Sequence, residues 1–236
     1  MPFVTKNPSY YFSALQEESS EPLHVGLFLS GSINDERRSD FVALGKAIRQ
    51  TSRSIRCLWL RFRDGDESLL NAFRAFGAEL VGATAIQSLV FEGKVGTAEV
   101  QCLSGFFTQN DLRGIQFRRT DVDMSTFTML RPFFSQTTSL KVLDMSQNPG
   151  VGDDCINLIL VALLEGGARL ETLNLGESNL DGLEPGDSLR ISGGGVFSIA
   201  SYISKSELLF HLALHSISID TSALMTCFVC LHINFV

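Results

Sequence analysis

The residues of this sequence best placed for chemistry are Cys227, Cys230 and His232, spaced Cys-x-x-Cys-x-His. Thiolates and an imidazole at that spacing can hold zinc, but a structural zinc site needs four ligands. No second Cys-x-x-Cys or His-x-x-x-His accompanies them, and Cys57, Cys102 and Cys155 are scattered along the chain. These cysteines read better as small buried side chains, and no metal or cofactor is expected. Gly193-Gly194-Gly195 has the freedom of a phosphate-cradling loop but lacks the Lys-Ser/Thr that completes one. Asp121, Asp123, Asp153 and Asp154 follow short apolar runs, where turn and helix-capping roles are the default. His24, His211, His215 and His232 have no nucleophile at a telling spacing. Asn7-Pro8-Ser9-Tyr10 matches a peptide pattern read by phosphotyrosine-binding domains, but four residues are a weak signal. The chemistry points away from an enzyme.

Composition narrows the classes further. The 236 residues carry 26 acids against 19 bases, a net charge of −7, which argues against a nucleic-acid binder with its basic face. Apolar residues make up 44 %, with 18 Phe and a mean hydropathy of +0.16, enough to bury a core. Five cysteines are too few, and odd in number, for a disulfide scaffold. The N-terminus lacks the apolar centre of a signal peptide, and no apolar run reaches the roughly 18 residues of a membrane span. A soluble cytoplasmic protein with a protein partner, and no nucleic-acid or membrane partner, is expected.

Elements that would position any site follow from internal periodicity. A large apolar residue followed by others three and five positions later recurs along the chain. The copies are Ile55-Leu58-Leu60, Ile86-Leu89-Phe91, Leu112-Ile115-Phe117, Leu140-Leu143-Met145, Leu170-Leu173-Leu175 and Leu209-Leu212-Leu214. A weaker first copy leads with His24, followed by Leu27 and Leu29. Five of the six intervals between copies are 26–31 residues, and the last is 39. Each triplet is followed by polar residues and then by apolar residues at helical spacing, such as Leu69, Leu70, Phe73 and Phe76. Ser39, Asp66 and Asp153 suit helix N-caps. The unit is strand, loop, helix, and strands alternating with helices call for a parallel sheet. Helices are expected near 39–50, 67–77, 98–107, 125–134, 154–165 and 196–204.

The triplet, its period and Asn148 within LKVLDMSQNPGVGDD resemble the leucine-rich repeat, in its ribonuclease-inhibitor-like class. The resemblance covers residues 23–236. It implies an α/β solenoid, with a curved parallel sheet on the concave side and helices on the convex side. It also implies that Asn148 bonds the backbone of its turn; Arg63, Lys94, Thr120, Ser178 and Ile217 hold that place in other copies. A doubly wound α/β domain is the alternative, but its strands lack a fixed 3+2 spacing. Residues 1–22, with Tyr10, Tyr11, Phe12 and Leu15, are expected to cap the first unit. A Gly-rich insertion near 181–195 explains the long sixth interval. After Asp220 the chain has no charged residue, so the array reads as truncated, with self-association through that end as another reading.

A rigid array with a broad surface and no deep pocket suits protein recognition. A non-catalytic interaction module or adaptor is therefore expected. Because the resemblance extends to Ran GTPase-activating proteins, a regulator of an enzyme is the second class. Residues alternating with the buried triplet face outward. They form a row Phe28, Trp59, Val90, Gln116, Asp144, Asn174, Ala213 and a row Ser30, Arg61, Glu92, Arg118, Ser146, Gly176, His215. Arg61, Glu92 and Arg118 are expected to form a ladder of alternating charge. Phe28, Trp59 and Val90 are expected to make an exposed apolar strip that binds an apolar group with acidic flanks. The candidate partner-binding residues are Phe28, Trp59, Arg61, Val90, Glu92, Gln116 and Arg118.

Overall fold

The computed structural model describes residues 15, 21–52, 54–108, 111–176, 190–191, 193–206, 209, 211–213 and 218–219. The chain divides into two compact units, Met1–Ile115 and Gln116–Val236. Seven parallel strands alternate with helices along it. The first unit holds strand β1 (Leu23–Gly31), helix α1 (Asp35–Gln50), β2 (Ile55–Gly65), α2 (Glu67–Glu79), β3 (Ser88–Gly93) and the short helices α3 (Thr97–Gln101) and α4 (Ser104–Phe107). β4 (Gly114–Arg118) lies at the boundary. The second unit holds α5 (Met124–Phe134), β5 (Val142–Asp144), α6 (Asp153–Gly166), β6 (Thr172–Asn174), β7 (Arg190–Ile191), α7 (Gly193–Lys205), β8 (His211–Ala213) and β9 (Ser218–Ile219). β7 and β9 pair with each other, apart from the other seven strands. No helix among the described residues is long and apolar enough to cross a membrane.

The repeated triplet is the core. Ile55, Leu58, Leu60, Leu89, Phe91, Leu112, Ile115, Phe117, Leu140, Leu143, Met145, Leu170, Leu173 and Leu175 are all fully buried. Alternation turns their neighbours to the other face of the strands, and there Cys57, Trp59, Gln116, Val142, Thr172 and Asn174 stay half-buried and Arg61 and Arg118 exposed. Helices therefore cover one face only in each unit, unlike a doubly wound domain. In the first unit Phe62 of β2 meets Phe73 of α2 edge-on with centroids 4.9 Å apart, and Phe73 stacks on Phe76 at 5.8 Å. In the second, Phe117 meets Phe127 of α5 edge-on at 5.7 Å. Of the cap expected over 1–22, residues 15, 21 and 22 are described, with Leu15 buried and its carbonyl accepting from Thr51 Oγ1 at 2.9 Å. Of the insertion near 181–195, residues 190–191 form β7 and 193–195 begin α7. Residues 1–14, 177–189 and those after 219 lie outside the described residues.

Four local expectations need correction. The first strand is two residues out of the expected register: Val25 faces Leu58, Leu27 faces Leu60 and Leu29 faces Phe62. β1 and β2 are long strands, and a slip of two keeps every apolar residue on the core face, so the pattern alone tolerates either pairing. Ser39 is not a helix N-cap; α1 starts earlier, at Asn34, whose side chain accepts from the Arg37 N–H at 3.0 Å. Asp153 lies just inside α6, after the N-cap Gly152. Asp66 and Asp123 do cap α2 and α5. The helix expected at 98–107 is broken at Cys102–Leu103. There Gly77 of α2 packs so near the Cys102 carbonyl that a Cβ would stand 2.0 Å from its oxygen.

Asn148 closes the turn after β5 as the resemblance implies, and it does more. Its Nδ2 donates to Phe117 O at 2.7 Å, Met145 O at 2.8 Å and Ser146 O at 3.0 Å. Its Oδ1 accepts from Thr120 N at 2.7 Å and Thr120 Oγ1 at 2.6 Å. The side chain thus bonds its own turn and the one a repeat earlier. The residues just before these two turn positions, Arg119 and Gln147, are left-handed at φ 52° and 63°, and Arg119 Nε donates to Gln147 Oε1 at 2.9 Å.

Asn148→Ala orphans several buried polar groups at about 1–3 kcal/mol each, and is expected to lower unfolding free energy in urea by about 3–5 kcal/mol; a loss below about 1 kcal/mol would refute the assignment. Hydroxyls of Ser32 and Ser68 and the Leu69 N–H hold Asp66 at a pKa of about 2. A carboxylate depressed on folding stabilises the fold above its unfolded pKa of about 3.9, and that contribution is lost as pH falls through the folded value. Asp66 is therefore expected to titrate by NMR near pH 2, and Asp66→Asn, which keeps the capping oxygen, to remove this part of the acid sensitivity.

Candidate protein interface

The face left open by the helices carries the sequence-derived candidates, and the register decides who neighbours whom. Trp59 stands opposite Gly26 on β1 and Val90 on β3. Phe28 stands opposite Arg61, which stands opposite Glu92. The two-residue offset of β1 thus removes Phe28 from the expected Phe28-Trp59-Val90 strip and places it in the charged row. Val90 is 5 % exposed, buried and not open to solvent. Trp59 and Phe28 are half-buried, and Arg61 is exposed.

What forms instead is an aromatic ring within reach of two guanidinium groups. Arg61 Cζ lies 6.0 Å and Arg63 Cζ 5.3 Å from the Phe28 ring centroid, within cation–π range. Arg61 Nε also approaches Glu92 Oε1 at 3.6 Å. Arg63 was placed in the turn by the repeat alignment; it belongs to this face because β2 continues to Gly65, and its two-residue spacing from Arg61 was the available signal. In the second unit Arg118 Nε bonds Asp144 Oδ2 at 3.4 Å. Asp144 is not open but 6 % exposed, and its Oδ1 accepts from the Ser146 N–H at 3.0 Å. Gln116 is half-buried.

Concave features elsewhere offer no reactive constellation among the described residues. A cavity of about 300 Å³ beside the end of β2 is lined by Asp64, Asp66, Lys94 and Glu99. Each is engaged: Lys94 with Asp64, Asp66 with its cap, and Glu99 Oε2 with the Gly96 N–H at 2.8 Å. Burial pushes the Cys102 thiol up to about 11 and raises that of Cys155, so both stay protonated at neutral pH. Cys57 and Cys102 are half-buried and Cys155 buried, all as free thiols. No cluster of three His, Cys, Asp or Glu residues able to hold a metal occurs among the described residues.

The chain is an array of strand–helix repeats. No family model and no curated protein matches it. Twenty-nine chains of solved structures match. One of them, leiomodin-1 actin-binding site 2, is 16 % identical, with 70 % of this chain and 91 % of that chain covered and a TM-score of 0.47.

Since Trp59 projects to the open face and Phe73 to the core, their truncations are expected to differ. Trp59→Ala should cost less than about 2 kcal/mol in urea unfolding, and Phe73→Ala about 3–5 kcal/mol. Equal losses would place Trp59 in the core.

Proposed function

We propose that the chain is a non-catalytic protein-interaction module and that a partner segment docks on the open strand face of the first unit. The observation that carries this reading is the group Phe28, Arg61 and Arg63 beside Trp59, on a face that no helix covers. Tryptophan and arginine are the side chains most enriched where truncation weakens binding by about 2 kcal/mol or more. Strands hold their backbones at fixed spacings, so little backbone freedom remains to be lost on binding.

The chemistry of the face specifies the segment. Two guanidinium groups, of which Arg61 is partly answered by Glu92, leave a positive surplus for a carboxylate. Trp59 offers an apolar surface one row away. An extended segment with an aromatic or aliphatic residue followed by an acid fits both. Because the protein as a whole carries −7, this local surplus also selects the place at which an acidic segment approaches. Gln116 and Arg118 belong to the same reading in the second unit.

The test is selection of peptides from a random display library on the immobilised protein, followed by affinity measurement. Selected peptides are expected to pair apolar and acidic residues. Trp59→Ala and Arg61→Ala should each weaken them at least about tenfold. Arg74→Ala, on the helix side where Arg74 bonds Asn71, should leave affinity unchanged. Peptides that bind wild type and Trp59→Ala equally would remove this face as the site.

A further inference from the structure

The two-residue offset of β1 that moves Phe28 also brings together a thiol and an imidazole. His24 stands opposite Cys57, where an unshifted β1 would place Gly26. The register slips at this point: Leu23 faces Ile55 and His24 faces Cys57, so Arg56 is an extra residue on β2, and it is exposed. Beyond the slip the alternation is regular. Val25 and Leu58 are fully buried on the core side. His24 and Cys57 therefore rise from the open side, the first exposed and the second half-buried. Adjacent strands lie about 4.8 Å apart, which sets the two side chains next to each other.

The surroundings separate this thiol from Cys102 and Cys155. Burial, with Glu99 nearby, holds the Cys102 thiol at about 11, and burial, with Asp123 and Asp154 nearby, raises that of Cys155. Around Cys57 the charged and titratable groups are mostly basic. They are His24 across on β1, Arg56 beside it in the chain and Arg61 four residues further along the same face. Glu21, three residues before His24, is the acid at this end of β1, and β3 with its approach carries no charge from Ile86 to Val90. Basic neighbours and partial exposure are the setting in which a thiolate forms and reacts. A metal is a poorer occupant, because no third His, Cys, Asp or Glu joins the pair among the described residues.

We infer that Cys57 is a thiol-modification site whose substrate is a small-molecule disulfide, with His24 as the proton carrier. The Cys57 thiol gives its proton to the neutral His24 imidazole. The thiolate sulfur then bonds to one sulfur of the incoming disulfide as that molecule's S–S bond breaks. The leaving thiolate takes the proton back from the imidazolium and departs as a thiol. Cys57 is oxidised to a mixed disulfide, and the departing half of the reagent is reduced. Arg56 and Arg61 favour a disulfide that carries carboxylates.

The test is incubation of the full chain with glutathione disulfide, with the mixed disulfides mapped over time by tryptic digestion and mass spectrometry. Cleavage after Arg56 and Arg61 isolates Cys57 in peptide 57–61. At pH 7 this peptide is expected to gain the adduct at least about tenfold faster than the peptides that hold Cys102 and Cys155. His24→Gln, at an exposed position, should slow Cys57 about tenfold at pH 7 and leave its rate unchanged at pH 9.5, where a thiol ionises without help. Slow reaction of Cys155 in each sample marks an intact fold. The readout does not depend on any segment docking on this face. Cys57 reacting no faster than Cys102 overturns the proposal. So does a His24→Gln rate equal to wild type at pH 7, and so does a deficit that persists at pH 9.5, since His24 would then govern access and carry no proton.

Discussion

Much of the second unit's geometry rests on one buried amide. Asn148 is 1 % exposed and bonds backbone from its own turn and, a repeat earlier, from Phe117 and Thr120. A strand that stops after three residues, as β5 does, leaves buried backbone groups that the sheet no longer pairs. The amide is the side chain with donors and an acceptor together, so it can answer both ends of the turn. Thr120 occupies the equivalent place one repeat earlier and has no amide; it serves as the donor, its N–H and hydroxyl both donating to Asn148 Oδ1. One well-endowed position thus compensates for a poorer neighbour.

The first unit solves the same problem differently. β2 and β3 run longer, and the turn after β3 is closed by backbone: Lys94 N–H donates to Phe62 O at 3.2 Å. Gly93 makes that approach feasible, at φ 87° with the Phe62 oxygen where a Cβ would be. Longer strands also extend the open face, and this is why Arg63 joins Arg61 around Phe28. Loop chemistry and surface shape are therefore linked: the repeats without the buried asparagine are those with the longer open face.

Burial explains which parts of this organisation were legible in the sequence. The 3+2 triplets could be located because each must fill the same space between a strand and its helix, and five of them are entirely buried. Asp66 and Asp123 were legible as caps or turn residues because an unsatisfied helix end has few solutions. The open face was harder. Its residues are constrained by neighbours on other strands, and those neighbours depend on a register that alternation does not determine. Phe28 was hence assigned beside Trp59 when it lies opposite Arg61, and Val90 was assigned to solvent when it is buried.

The two-residue offset of β1 has a consequence for how such a surface can change over evolutionary time. Inserting or deleting two residues in a strand leaves the interior untouched, because every side chain returns to the face it came from. On the outside, the same event moves each residue by one cell of a grid whose columns are strands. Phe28 illustrates it: in one frame it extends an apolar patch with Trp59, and in the other it sits under two guanidinium groups. Paired-codon-triplet insertions are thus a mutational route that is nearly silent for folding and abrupt for recognition. A lineage can explore new ligands by sliding a strand instead of replacing its side chains.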